Sequence, residues 1–310
     1  MTIESQAHGR VAFESTWCPL CGLEAQSKEL YVSTLGDSDV TARTFSARRT
    51  PDRVHYRMVR CTGCGLVRSD PVLTASHLSE LYRSSHFTYE EQIPDLRATY
   101  GKVLERLVIA HGLPNRLLEV GCGNGFFLQE AAARGVARVY GVELSQDAVS
   151  KADPSVAKCI VTGPLTESSF PQEFFDIVCL FQVLDHLPAP VDTLKLCKSF
   201  LRPGGVVLSL NHNLAAISAA VLRERSPIVD VEHTFLFTPK TAALILESAG
   251  FTSVRVHPVI NRHSVDYLLG LWPPGFVSSA LQAAARVSRV GGLRVWLPLG
   301  NIVATGIRPD

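Results

Sequence analysis

The 310-residue chain predicts an α/β fold, a mostly parallel sheet covered by helices on both faces, behind a small cysteine-bearing head. Three observations predict it. From about residue 95, short apolar β-branched runs alternate with segments whose apolar residues recur at helical spacing. The stretch LLEVGCGNG (117–125) sets glycines at alternate positions directly after the first such run. Two CxxC pairs, Cys18/Cys21 and Cys61/Cys64, stand apart from this alternation near the N-terminus.

Each element has its own signal. Residues 95–112 place Leu96, Tyr100, Val103, Leu104, Leu107 and Val108 on one helical face, with Pro94 ahead and Gly112 behind. RLLEV (116–120) is a buried strand, FFLQEAAARG (126–135) a helix stopped by Gly135, and RVYGVEL (138–144) the next strand. AKCIVTG (157–163), FDIVCLFQV (175–183) and GVVLSL (205–210) are further strands, with a helix from about Pro190 to Leu201 between the last two. Thr238 caps a helix that has Pro239 at its first position and Gly250 at its end. FTSVRVHPV (251–259) and NIVATGIRP (301–309) close the series. Insertions at 213–230 and 260–300 break the rhythm. The expected organisation is a head over 1–94 and a sheet domain over 95–310.

Composition excludes some functions. Lys plus Arg (30) nearly cancel Asp plus Glu (29), so no global field draws the chain to nucleic acid or anionic lipid. The local exception is 41–61, with six arginines against Asp52 alone. Apolar stretches are broken by Asn211, His212 or Glu247, short of the ~20 residues that span a bilayer. The N-terminal residues have no apolar signal core, so the expected localisation is cytoplasmic, with no membrane span.

Glycines in the loop after a first strand let backbone approach a ligand closely and take positive φ. A dinucleotide fingerprint G-x-G-x-x-G would need a third glycine where Phe126 or Leu128 stands. The pattern present is E-x-G-x-G-x-G, led by Glu119, whose carboxylate suits an ammonium and would repel a pyrophosphate.

With these residues the chain resembles the class I S-adenosylmethionine (SAM)-dependent methyltransferases over roughly 95–259 and the last ten residues. The resemblance implies a Rossmann-like, seven-stranded methyltransferase sheet with lid insertions. It implies SAM contacts from Glu119, Gly121, Cys122, Gly123, Asn124 and Gly125. Glu143, eighteen residues after Gly125, matches the acid that accepts both ribose hydroxyls, with Leu144 beside it. FDIVCLFQVLDHL (175–187) matches the fourth-strand motif, with Gln182 at the cofactor, and LRPGG (201–205) the turn before the fifth strand. Thr162 and Gly163 stand where many members carry an acid that meets adenine.

Four thiolates in two CxxC turns are what tetrahedral Zn²⁺ takes in a closed structural site, and Gly22 and Gly65 follow the turns. Redox thiols, or iron in place of zinc, stay open as alternatives. VRCTGCGLVRSDP with LSELYRSSHFTYEE resembles methyltransferases that carry an N-terminal zinc ribbon, many of which belong to bacterial pathways for sugars, surface glycans and other secondary metabolites. Zinc-ribbon rRNA methyltransferases share the pattern, and the arginine run keeps RNA as a competitor.

Methyl transfer to a hydroxyl needs alignment and removal of a proton. His233 in DVEHTFLF is the expected base, oriented by Asp230 or Glu232, and His186 a second candidate near SAM; His212 stands after the fifth strand. The resemblance implies that a tyrosine of the Tyr82–Tyr89 region reaches the SAM carboxylate. Tyr267, Leu268, Leu271, Trp272 and Phe276 offer either an apolar lid or a dimer surface. The expected function is SAM-dependent methyl transfer to a small-molecule or glycan-type acceptor, oxygen first. The alternatives are an RNA methyltransferase using the ribbon as a clamp and a SAM-binding pseudoenzyme.

Overall fold

A computed structural model describes residues 12–22, 25–36, 39–46, 53–270 and 290–310. The head contributes β1 (Phe13–Glu14), β2 (Ser27–Tyr31), β3 (Met58–Cys61), β4 (Val67–Ser69) and β5 (Val72–Leu73), then α1 (Ala75–Arg83). The main domain begins with α2 (Ile93–His111), β6 (Arg116–Val120), α3 (Phe126–Ala133), β7 (Arg138–Glu143), α4 (Gln146–Ser150) and α5 (Pro154–Ala157). It continues through β8 (Ile160–Thr162), β9 (Phe175–Phe181), α6 (Pro190–Phe200), β10 (Leu201–His212) and α7 (Ile217–Leu222). β11 (Phe235–Leu236), α8 (Pro239–Ser248), β12 (Thr252–Ser264), α9 (Val265–Gly270) and β13 (Arg294–Ile307) complete it.

The expected seven-stranded sheet is present, in the order β12-β13-β10-β9-β6-β7-β8. β10, β9, β6, β7 and β8 run parallel, and β13 is antiparallel to both its neighbours. The period-2 alternation of side chains divides the core into two layers. Leu118, Val120, Val178 and Leu180 pack on α6 and α8 through Leu194, Phe200, Ile245 and Leu246. Leu117, Ile177, Cys179 and Phe181 face the other way, onto Tyr100 and Leu104 of α2 and Phe126 and Phe127 of α3. Burial on both faces is why these strands read as continuous apolar runs. α8 starts as expected: Thr238 Oγ1 accepts from Thr241 N at 3.2 Å and Thr241 Oγ1 from Thr238 N at 2.8 Å.

Two expectations need correction. The strand expected over 157–163 shrinks to Ile160–Thr162, because Asp153 caps Pro154–Ala157 as a helix turn. The insertion expected over 260–300 is partly sheet: β12 and β13 extend past the core as an antiparallel ribbon, paired from Asn261–Leu297 to Ser264–Arg294. Within it, Leu271, Trp272 and Phe276 lie outside the described residues. Hydrogen bonds also tie the expected head to the expected sheet domain. β11 pairs with β4, at Phe235–Arg68 and Leu236–Val67, so a late segment of the chain completes the head sheet β11-β4-β3-β2.

Candidate functional site

A cavity of about 490 Å³ opens over the carboxyl ends of β6, β7, β9 and β10, where ligands of an α/β sheet bind. One end is built by the glycine loop. Gly121 and Gly123 have φ of 70° and 55°. A Cβ on Gly121 would stand 2.5 Å from Val183 Cγ2, and one on Gly123 2.9 Å from Tyr89 Oη. Both positions therefore exclude a side chain by conformation and by space. Glu143 ties the loop to the next strand: its Oε2 accepts from Gly123 N and its Oε1 from Ser145 N, both at 2.8 Å.

Glu119 is buried beneath the loop, and its Oε2 has no hydrogen-bond partner. Burial, and then the charge of Glu143, hold its carboxyl well above the usual carboxylate range. Burial also raises Glu143, against the N–H groups of Ser145, Gly123 and Leu144, which favour its ionised form. A cationic ligand would relieve both acids. Gln182, at the end of β9, has φ 56° and a buried Oε1 with no partner. The orphaned Glu119 and Gln182 oxygens, the close-approach glycines and the paired acids together fit SAM, whose cationic methionyl portion and ribose supply the donors.

Glu119, Gly121, Cys122, Gly123, Glu143, Leu144 and Gln182 all line this cavity. Asn124 and Gly125 lie behind it. Asn124 Oδ1 accepts from Phe126 N at 3.3 Å, and Gly125 turns into α3 against Val156 and Ile160.

The other end of the cavity is assembled from distant segments. His186 and Asp185 follow β9, His212 ends β10, and His233 precedes β11. The His233 ring lies 4.8 Å from that of His186 and 4.9 Å from that of His212. His233 Nδ1 donates to the Ile228 carbonyl at 2.9 Å, so Nε2 carries the ring lone pair. The acid beside that nitrogen is Asp185, with Oδ2 4.0 Å away. Asp230, one of the two acids expected to orient His233, accepts through Oδ1 from Glu232 N at 3.1 Å and shapes the turn before His233. Asp185 is 1% exposed, and burial pushes its carboxyl above its ordinary range.

His186 stands 3.3 Å from Tyr82 Oη through Nδ1, and burial lowers its pKa to about 4, so it is neutral at neutral pH. Tyr82 thus meets the histidines, while Tyr89 meets the glycine loop. Tyr267 of the expected lid also lines the cavity.

The head supports both ends. Ser69 of β4 donates through Oγ to the His233 carbonyl at 3.0 Å, and Ser69 N donates to Thr234 O at 2.8 Å. Residues 85–87 cross the glycine-loop end, held by Ser145 Oγ to Ser85 O (3.0 Å) and Phe87 N to Asp147 Oδ2 (2.8 Å). Sequence reasoning missed Asp185 beside the histidines, and Ser79 and His86 as cavity residues. Only Asp185 had a signal, as the acid beside His186 in VLDHL.

In the head, the sulfurs of Cys18, Cys21, Cys61 and Cys64 all lie within 4.8 Å of one another. Gly22 N and Gly65 N donate back to Cys18 O (2.9 Å) and Cys61 O (3.0 Å), and both glycines have φ 83°. Each CxxC is therefore a closed knuckle. Burial pushes the Cys18 thiol up to about 11. It would raise Cys61 too, but the N–H groups of Cys64 and Gly63 bring that thiol down to about 7. The donor set and the knuckles fit a tetrahedral metal ion.

The model of a methyltransferase domain matches residues 89–256. Ubiquinone biosynthesis O-methyltransferase of Burkholderia pseudomallei is 26% identical over 176 residues, covering 51% of this chain and 75% of that protein. Its namesake in Burkholderia multivorans is 33% identical over 121 residues, 36% of this chain and 52% of that protein. Among solved structures, a SAM-dependent methyltransferase from Archaeoglobus fulgidus is 19% identical with a TM-score of 0.49, over 71% of this chain and 97% of that one. The matched residues hold the glycine loop, both acids and the histidine corner, and they make up more than half of the sequence. The chain belongs to the methyltransferase-domain family and is a SAM-dependent methyltransferase.

Proposed function

We propose that the chain methylates an oxygen of a small-molecule or glycan-type acceptor. The observation that carries this reading is that His186, His212 and His233 line the same cavity as the glycine loop, with Asp185 buried beside them. SAM supplies the methyl group and a sulfonium leaving group. Glu119 and Gln182 accept from its methionyl end, Glu143 from its ribose, and the glycine backbone closes against it. The acceptor hydroxyl lies at the histidine corner, where Nε2 of His233 is the nearest proton acceptor and neutral His186 helps to align the oxygen. The new O–C bond forms as the C–S bond breaks, and sulfur keeps the electron pair.

The O-methyltransferase names of the sequence relatives support oxygen as the target. No lysine or arginine lines the cavity among the described residues, which speaks against a phosphate-rich acceptor held inside it. In this reading Zn²⁺ on Cys18, Cys21, Cys61 and Cys64 is structural and fixes the sheet that β11 joins. No described helix is long and apolar enough to cross a membrane.

The test is methyl-labelled SAM added to the full chain with cell extract, followed by fractionation. Base-stable label on oxygen in the small-molecule or glycan fraction is expected. Label confined to RNA would overturn the acceptor class, and SAM binding without transfer to any fraction would make the chain a pseudoenzyme.

A further inference from the structure

We infer that Asp185, His212 and His233 form a second metal site, for a divalent transition-metal ion, at the acceptor end of the cavity. Each residue offers one ligand atom, and the three atoms lie within 4.8 Å of one another. For three atoms so spaced there is always a point within about 2.8 Å (4.8/√3) of all of them. Metal–ligand bonds of ~2.0–2.2 Å therefore need inward shifts of well under 1 Å. The Asp185–His233 separation of 4.0 Å is too long for a hydrogen bond and leaves room for an ion.

The carboxylate points the same way. Neither Asp185 oxygen has a hydrogen-bond partner, although the side chain is 1% exposed. Among the described residues, no Lys or Arg lines the cavity beside it. A buried carboxylate left so is costly unless a cation joins it.

The histidines are set as metal ligands are set. His233 Nδ1 donates to Ile228 O at 2.9 Å, and His212 Nδ1 donates to Asn301 Oδ1 at 3.1 Å. Asn301 is oriented in turn, since its Nδ2 donates to Asn261 Oδ1 at 3.5 Å. A carbonyl oxygen fixing Nδ1–H is the arrangement that presents Nε2 to a metal. Two imidazoles and one carboxylate suit Zn²⁺, Fe²⁺ or Mn²⁺ better than Mg²⁺ or Ca²⁺, which take oxygen ligands, and three ligands leave positions open for an acceptor oxygen.

The consequence for the reaction rests on the O-transfer reading, whereas binding of the ion does not. With the ion in place, Nε2 of His233 is a ligand. The acceptor hydroxyl, made acidic by the neighbouring cation, would then lose its proton to cavity water. Methyl transfer proceeds as before.

The test counts metal in the full chain with Zn²⁺ as probe. Native protein, Asp185→Asn and His212→Leu are equilibrated at one buffered free Zn²⁺ level, and zinc per chain and SAM affinity are measured on the same samples. Zinc in each variant is expected to fall by one ion per chain from the native value, with SAM affinity within about threefold. Equal zinc in native protein and variants would overturn the site, with SAM binding intact leaving the O-transfer reading untouched. Loss of SAM binding in the native chain would instead overturn that reading, and the zinc difference would still decide the site. If Asp185→Asn fails to fold, His212→Leu decides, because His212 is only partly buried.

Discussion

The two ends of the cavity are built in opposite ways. The glycine-loop end is built mainly from 25 consecutive residues, Glu119 to Glu143, with contacts made by backbone and by acids at strand ends, and is covered by Gln182 and residues 85–89. The histidine end gathers Tyr82, Asp185, His186, His212 and His233 from four separate segments and rests on strand β4 of the head. A local motif keeps its geometry through backbone conformation. A gathered one depends on every element that holds its parts, so damage far from it should be felt there first.

The sharpest break of this comparison is Gly121→Ala. The positive φ and the Val183 contact should weaken SAM binding on the order of 10²-fold, measured by calorimetry. A change under threefold would mean that the loop is not the seat of SAM. At the other end, His233→Ala should lower turnover roughly 10²–10⁴-fold while SAM affinity stays within about twofold. Equal losses in both would collapse the division into two halves.

Cys61→Ser probes the dependence on the head. Loss of a thiolate from the knuckle should loosen β3 and β4, and through β11 and Ser69 the His233 segment. Turnover should fall on the order of tenfold, with a smaller change in SAM affinity. A fall in SAM affinity alone would place the head's influence at residues 85–87 instead.

The smallest effect concerns pH and stability. His186 has its pKa lowered from 6.5 to about 4 in the folded state, so between these values the unfolded chain binds more protons. Its contribution is fully present above pH 6.5 and is lost as pH falls toward 4. His186→Gln should therefore flatten the decline of stability over that window in denaturant titrations. An unchanged slope would show that His186 titrates in the folded protein as it does in the unfolded chain.

The amino-acid sequence by itself determined the order of strands and helices, the glycine loop and Glu143 at the next strand end. Those features are carried by residues within a turn or two of one another, where periodicity, capping and positive φ act directly. Four cysteines in two CxxC turns were legible for the same reason. Tertiary structure alone decided that β11 completes the head sheet, since a two-residue strand has no periodicity to read. It alone brought Asp185 beside His233. Sequence proximity pointed to Asp230 and Glu232 alone, whereas the pairing of β9 with β10 carries Asp185, 48 residues away, into reach as well. The β12–β13 ribbon was hidden likewise, because only the register between strands 30 residues or more apart reveals that 260–264 and 294–300 are paired.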